Sequence, residues 1–335
     1  MIRPLGVDDA GEVLRVITGG PDFGDGLDVD GWRRALDDVG AENTYVLGVG
    51  DPLTGVLALR PMRPRPRLAH LARASLRAPD PKDAEALLSA LTRGSDGYLG
   101  FARLDVSAEL DAPWAPALAA HGFSAEVRRR RATERAGQVR DVCTWGRLRP
   151  GFDPGAPAPF ELGPRPARRA EVLIRRRRDA DTEDLVRNHR PRSVLWGTNL
   201  CPWMSLDRWR FMTARTADLS LVAEVAGSVV GSLTLIRTAK LPVFGLGMSV
   251  APRAQGLGAG RALMEAALRT AAESLGATRV ELEVFTDNLR ARALYRSFGF
   301  EQEGVRRAVS WREGGYADAV AMGLLLGPDL TGSSS

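Results

Sequence analysis

Asn288 and Tyr295 stand seven residues apart in a stretch that reads as helix, close to two turns, so their side chains share one face. An Asn that can bond an amide-rich ligand, with a Tyr hydroxyl further along that face, suits a thioester cofactor. Taken singly, each has a plainer reading, as a helix-capping Asn and a core Tyr. Upstream, Gln255-Gly-Leu-Gly-Ala-Gly260 forms a glycine-rich turn. It lies between an extended apolar run, Phe244–Ala251, and a strongly helical one, Arg261–Ala272. A strand, a glycine turn and a helix N-terminus in that order make an anion site, because first-turn N–H groups point outward and the helix dipole favours negative charge. Glycines also let a phosphate approach the backbone closely. The competing reading of the turn alone is a tight strand-to-helix connection that binds nothing.

Nucleotide motifs fail on residues. A dinucleotide fingerprint needs G-x-G-x-x-G, and the spacing here is G-x-G-x-G. A P-loop needs G-K-[ST], yet the chain has only Lys82 and Lys240. The elements that must position the candidates are legible. Arg279-Val-Glu-Leu-Glu-Val-Phe285 alternates apolar and polar residues, as a half-buried strand does. Asp287-Asn288 then opens a helix through Ala291, Leu294 and Tyr295, and Gly299-Phe300 closes it.

Two ordered motifs emerge: Val250-x-Pro252-x-x-Gln255-Gly-x-Gly-x-Gly260, then Leu282-Glu-Val-x-x-Asp-Asn288-x-x-Ala291-x-x-x-Tyr295-x-x-x-Gly-Phe300. Together they resemble the GNAT superfamily of acyl-CoA N-acyltransferases. The resemblance implies an α/β (α+β) fold, a mixed and mostly antiparallel sheet flanked by helices, with the fourth and fifth strands splayed to admit the pantetheine arm. It implies acetyl-CoA as co-substrate and no metal. Backbone N–H groups of Gln255, Gly256, Leu257, Gly258, Ala259, Gly260 and Arg261 would hold the pyrophosphate. The strand at Met248, Ser249 and Val250 would bond the pantetheine amides and polarise the thioester carbonyl, and Asn288 would bond the pantetheine arm.

The chemistry sets its own requirements. An amine with a pKa near ~10 is mostly protonated at neutral pH and must lose a proton before it attacks the acetyl carbonyl. A nearby carboxylate can accept that proton, directly or through water. The developing oxyanion needs aimed backbone donors. The departing thiolate has a pKa near ~8.5, so a Tyr near ~10 stays protonated and can supply a proton. Tyr295 fits the acid role. Glu283 is the candidate base, at a place that resembles the Glu of ribosomal-protein alanine acetyltransferases; Glu281 on the same strand face is its rival.

An internal repeat organises the whole chain. His121-Gly-Phe123 returns as Phe298-Gly-Phe300, a displacement of 177 from Gly122 to Gly299. Asp141-Val-Cys-Thr-Trp-Gly146 returns as Asp318-Ala-Val-Ala-Met-Gly323 at the same displacement. Ile2-Arg3-Pro with Asp9 and Glu12 resembles Ile174-Arg175-Arg with Asp181 and Asp184, displaced by 172 from Ile2 to Ile174. Arg149–Pro159 is rich in Pro and Gly and reads as a linker. The expected division is a degenerate N-terminal GNAT-like domain over 1–149, a linker over 150–170, a catalytic GNAT domain over 171–328 and a disordered tail over 329–335.

The two copies are chemically unequal. Where the second carries its phosphate turn, the first reads Leu76-Arg-Ala-Pro-Asp-Pro-Lys-Asp83. Prolines remove N–H donors, and two acids oppose a pyrophosphate. Leu118 stands for Tyr295 and Asp111 for Asn288, although Asp105 stays near the base position. The first copy is therefore expected to be catalytically dead, with a structural role.

The acceptor is predicted to be the primary amine of a small molecule. Trp196, Asn199 and Trp203, with Tyr316 in a hairpin around Gly314-Gly315, are the residues that could wall it; ordinary core packing is the competing reading. The second half is similar to bacterial L-amino-acid N-acetyltransferases in Phe285-x-Asp-Asn288 and Gly315-Tyr-x-Asp-Ala319. The layout also resembles tandem acetyltransferases of actinobacterial antibiotic gene clusters, which implies a biosynthetic or self-protection substrate. Alternatives are a protein N-terminal acetyltransferase, a non-catalytic acetyl-CoA binder, and a mycothiol synthase-like enzyme. The His-Trp-Thr-Lys segment of that last group is replaced here by Arg237-Thr-Ala-Lys240.

Composition bounds the rest. The 335 residues suggest about two domains, and 44% hydrophobic with 26% charged residues is ordinary for a globular protein. No stretch approaches a membrane span, and Met1-Ile-Arg-Pro lacks a signal-peptide core. Cys143 and Cys201 make no disulfide framework, and His70, His121 and His189 are scattered. A cytoplasmic, metal-free monomer or homodimer is expected. Net charge is +5, with dense runs at Arg128–Arg131 and Arg175–Arg178. Both runs fall in predicted strands among interspersed acids, which reads as solvated strand faces and not as a nucleic-acid stripe.

Overall fold

The computed structural model describes residues 1–5, 7–19, 44–62, 70–109, 111–135, 137–160, 171–198, 217–238 and 241–326. Asn199, Trp203 and the 329–335 tail lie outside them. The described chain forms two units, Met1–Pro157 with Gly304–Asp318, and Ala158–Glu303 with Ala319 onward.

In the first unit the order is β1 (Ile2–Pro4), α1 (Ala10–Gly19), β2 (Tyr45–Gly50), β3 (Leu53–Pro61), β4 (Leu71–Arg77), α2 (Pro81–Gly94), β5 (Arg103–Glu109), α3 (Ala115–Ala120), β6 (Ser124–Arg135) and β7 (Gln138–Leu148). Its strands lie in the order β1-β2-β3-β4-β5-β7-β6, antiparallel except for β4 beside β5. Leu87, Leu88 and Leu91 of α2 meet Leu57, Leu76, Leu104 and Trp114 in one buried core.

The second unit has β8 (Leu173–Arg176), α4 (Thr182–His189), α5 (Arg192–Trp196), β9 (Leu219–Val225), β10 (Ser228–Arg237), β11 (Val243–Val250), α6 (Ala259–Glu273), β12 (Arg279–Phe285) and α7 (Leu289–Arg296). The hairpin of β13 (Glu301–Arg312) and β14 (Gly315–Leu325) follows. Strands run β8-β9-β10-β11-β12-β14, and only β11 and β12 are parallel. Each unit thus holds mixed, mostly antiparallel strands with helices, the α/β arrangement of the expected fold class. In α6, Leu263, Met264, Ala267 and Ala271 are buried at helical spacing, so one face packs on the sheet while Glu265, Arg269 and Glu273 face out.

The hairpin tip belongs to the first unit. Gly304 pairs with Val127 of β6, and its φ of +154° lets the two backbones touch, since a Cβ would lie 2.0 Å from the Glu126 carbonyl oxygen. Gly155 bridges Gly315, and the Tyr316 N–H donates to the Pro154 carbonyl at 2.7 Å. The Pro/Gly-rich stretch is therefore held by backbone contacts at Pro154 and Gly155.

One device occurs once in each unit. Arg103 and Arg279 are fully buried at the start of the fifth strand of their units. Arg103 donates to Glu126 at 2.6 Å, and Arg279 donates to Glu303 at 2.5 Å and 2.8 Å. Both pairs lie over a strand glycine, where a Cβ would stand 2.5 Å from Arg103 Nη2 at Gly146 and 2.6 Å from Arg279 Nη1 at Gly323. A buried guanidinium needs such a partner, because leaving one charge unpaired costs several kcal/mol.

Candidate active site

Strand pairing opens the site. β11 and β12 pair only at Val243–Arg279, Phe244–Val280 and Gly245–Glu281. Beyond that point β11 stays on β10 as far as Val250, while β12 stays on β14 as far as Phe285. The two central strands therefore diverge, and Leu246–Val250 faces an opening instead of a neighbouring strand. The family resemblance implies a parting of this kind between the fourth and fifth strands, here β11 and β12.

At the end of β11 the chain makes a short 3-10 turn, Pro252–Ala254, and enters the glycine turn. Gly256 has φ +87° and Gly258 φ +104°, conformations that residues with a Cβ rarely adopt. Gly258 is the N-cap of α6 and supplies no side-chain acceptor. The first-turn N–H groups, at Ala259, Gly260 and Arg261, have no partner within the helix by construction. The turn thus presents donors at the positive end of a 15-residue helix, beside the strand opening. Gly260 sits close against Leu294, Val250 and Met248, so α6 packs on the Met248 and Val250 side of β11.

Side chains brace the turn. Gln255 donates from Nε2 to the Val250 carbonyl at 3.2 Å and accepts at Oε1 from Arg290 Nη1 at 2.9 Å. It links the end of β11 to α7, a strut that its assignment as a backbone donor did not include. Arg261 reaches Ser297 at 2.9 Å and lies 5.0 Å from the Phe298 ring centroid. Leu257 is half-buried.

Asn288 caps α7, its Oδ1 accepting from the Ala291 N–H at 3.2 Å. Its side-chain NH₂ remains as the group that could donate to a ligand carbonyl. Asp287 beside it accepts from the Phe160 N–H at 3.0 Å. Tyr295 is 6% exposed, with its ring 5.9 Å from Phe300. Burial pushes its phenol up to about 12, so the hydroxyl is protonated throughout the neutral range.

The two carboxylates of β12 differ in setting. Glu281 sits at the last paired position, accepts from Arg279 at 3.2 Å and from Thr238 Oγ1 at 3.2 Å, and is committed to holding the buried guanidinium. Glu283 lies two residues on, on the same strand face, past the divergence and exposed. Of the two, Glu283 is the exposed carboxylate and Glu281 the partly buried one. Asp105 in the first unit corresponds to Glu281, since each follows its buried arginine by two residues and each faces a glycine, Gly146 or Gly323.

Acceptor-side candidates separate. Trp196, at the end of α5, is half-buried with the Arg192 guanidinium 4.0 Å from its ring centroid. Tyr316 belongs to the first unit, where its ring lies 4.1 Å from His70, 5.2 Å from Phe152 and 5.0 Å from Trp311.

The sequence reading passed over His189 as one of three scattered histidines. It is the last residue of α4, 8% exposed, and its Nε2 lies 2.8 Å from Ser249 Oγ on β11. Sixty residues separate the two, so no local pattern could have joined them.

Residues 188–300 match the Acetyltransferase (GNAT) family. The chain is 33% identical over 157 residues to the L-amino acid N-acetyltransferase AaaT of Escherichia coli, a match that spans 46% of this chain and 97% of that protein. Among solved structures it is similar to a GNAT-family acetyltransferase of Streptococcus pneumoniae, 26% identical, covering 47% of this chain and 100% of the other, with a TM-score of 0.42. It is also similar to a ribosomal-protein-alanine N-acetyltransferase of Brucella melitensis, 28% identical, covering 46% and 99%, with a TM-score of 0.41. The chain belongs to the GNAT family and is an acetyltransferase. Among the described residues no group of His, Cys, Asp or Glu could hold a metal ion, and no helix is long and apolar enough to cross a membrane.

Proposed function

We propose that the second unit transfers an acetyl group from acetyl-CoA to the primary amine of a small molecule, an amino acid or a related biosynthetic intermediate. The observation that carries this reading is the divergence of β11 and β12 beside a helix that opens on glycine with no side-chain cap. Bound there, acetyl-CoA supplies an activated thioester carbonyl. The N–H groups from Gln255 to Arg261 hold its pyrophosphate, the free edge at Met248, Ser249 and Val250 bonds the pantetheine arm, and Asn288 donates from its side-chain amide. Glu283 accepts the acceptor's proton. Tyr295 donates a hydrogen bond to the departing sulfur; with its pKa raised to about 12 it stabilises the thiolate mainly as a neutral donor. Trp196 is the described residue assigned to the acceptor side.

The first unit is, on this reading, a second copy of the same fold that has lost its site. Matching contacts support duplication: Arg3–Asp9 at 2.7 Å answers Arg175–Asp181 at 2.8 Å, and the Phe123 N–H to Leu118 bond at 3.0 Å answers Phe300 to Tyr295 at 3.2 Å. Loss of the site has a local cause. Asp80 caps α2 with its own carboxylate, accepting from the Lys82 N–H at 2.8 Å, and Pro81 removes a donor. The positive helix end is already satisfied by a negative charge.

A thiol-release assay with acetyl-CoA against the L-amino acids, polyamines, aminoglycosides and β-lactam intermediates tests the proposal. Release that depends on an amine from this panel is expected. A protein that binds acetyl-CoA yet acetylates none of them would sink the small-molecule reading.

A further inference from the structure

His189 occupies a defined chemical state. Its Nδ1 faces the Leu185 carbonyl at 2.7 Å, four residues back on α4, and a carbonyl can only accept, so Nδ1 carries the proton. In the neutral ring Nε2 is then the acceptor, and the Ser249 hydroxyl 2.8 Å away donates to it. Burial lowers the His189 pKa, with the Leu185 carbonyl opposing, so the ring is neutral at pH 7.

Charged groups on the elements around His189 are occupied elsewhere. Asp184 pairs with Arg187 at 2.7 Å on its own helix, Asp181 pairs with Arg175, and Arg192 lies over Trp196. Asp179, Glu183 and Arg237 are exposed, and β11 carries no ionisable side chain. The lowered pKa therefore follows from burial, with no charged neighbour responsible.

Ser249 stands where this pair could matter. It lies four residues past Gly245, the last position of β11 that pairs with β12, and so belongs to the diverging segment. Side chains alternate along a strand, so Ser249 shares the Gly245 face, the face of Glu281 and Glu283 on the parallel neighbour. Met248 and Val250 point the other way, toward α6. Ser249 is half-buried.

We propose that Ser249 and His189 form a proton relay for the acceptor amine, a reading that rests on acetyl transfer at this same site. The amine N–H bond breaks as a new O–H bond forms at Ser249 Oγ. The original Ser249 proton moves to His189 Nε2, giving an imidazolium whose Nδ1–H still bonds the Leu185 carbonyl. His189 is buried with both ring nitrogens bonded, so its proton returns to Ser249 as the Ser249 Oγ–H proton passes to water that enters the site after product leaves. The relay takes this proton in place of Glu283; were Glu283 the base, Ser249→Ala and His189→Gln would keep the wild-type rate at pH 7.

The test compares wild type with Ser249→Ala, Ser249→Thr and His189→Gln in the thiol-release assay, using acetyl-CoA and whichever panel amine wild type acetylates fastest. At pH 7, where the amine is protonated, kcat of Ser249→Ala and His189→Gln should fall at least about tenfold. At pH 9.5, where much of the amine is already free base, the deficit should shrink to within about threefold. Ser249→Thr keeps the hydroxyl and should restore most of the rate. A merely structural role gives a deficit that does not change with pH, and that result overturns the relay, as does an undiminished rate in both variants. If His189→Gln does not fold, the Ser249→Ala and Ser249→Thr pair decides alone. If wild type acetylates no amine in the panel, the small-molecule reading falls first and takes the relay with it.

Discussion

At the scale of single residues the site depends on groups whose environment sets their protonation. Tyr295 is buried enough to be raised to about 12, so its proton is retained until well above the assay range. Tyr295→Phe should lower kcat by about a hundredfold or more while the acetyl-CoA Kd, by calorimetry, moves less than about threefold. Equal rates in mutant and wild type would remove Tyr295 from its role. Because the phenol stays protonated below about pH 12, wild-type kcat should show no descending limb from Tyr295 between pH 8 and 10. A limb there that vanishes in the Phe variant would contradict the burial argument. Asn288 shows how two readings can both hold, since its carbonyl oxygen caps α7 and its NH₂ remains free to bond a ligand.

Elements decide how those residues are presented. The opening of α6 needs a backbone that only glycine adopts freely. A Cβ at Gly258 would meet nothing within 4 Å, so Gly258→Ala costs only the dihedral, about 1–2 kcal/mol. Gly276, just past the other end of α6, has φ +59° and is equally open, which makes Gly276→Ala a matched control. Both should lower Tm, whereas only Gly258→Ala should weaken acetyl-CoA binding, by about tenfold or more. Equal affinity in the two would argue that the turn does not hold the phosphates. The buried clasp of β12 is a second element-scale device. Arg279→Ala leaves Glu303, 2% exposed, without its cation and should cost about 3–5 kcal/mol by urea unfolding. Gly323→Ala pushes a methyl to within 2.6 Å of both partners and should cost about 1–3 kcal/mol. A change below 0.5 kcal/mol in either would show that the clasp contributes little.

Across the whole molecule each unit repeats the same strand order, and among the described residues only α6 opens on the uncapped glycine turn, whereas α2 is capped by Asp80. Calorimetry on the full chain should therefore give one acetyl-CoA per chain, and a stoichiometry of two would reject the idea of a lost site in the first unit. Residues Gly304–Asp318 belong with the first unit, through Arg306 on Asp105 and Arg307 on Glu126 at 2.6 Å. The division by contacts is therefore not a single cut in the chain, because Gly304–Asp318 groups with the first unit.

Sequence by itself determined the features that are local. The glycine turn, the Asn288-to-Tyr295 helix and the alternation of β12 are patterns of a few residues, each bound to one backbone conformation. Gly146 and Gly323, matched in the sequence at a displacement of 177, each lie where a buried arginine leaves no room for a Cβ. Only tertiary structure could decide what depends on strands meeting or parting. The pairing of β11 with β12 ends at Glu281, so Glu281 and Glu283 stand in different settings although both share one face of one strand. The approach of α4 to β11 joins His189 to Ser249, and the placement of the β13–β14 tip puts Tyr316 among the aromatics of the first unit. The physical reason is the same in each case: these contacts form between segments whose separation along the chain carries no periodic signal.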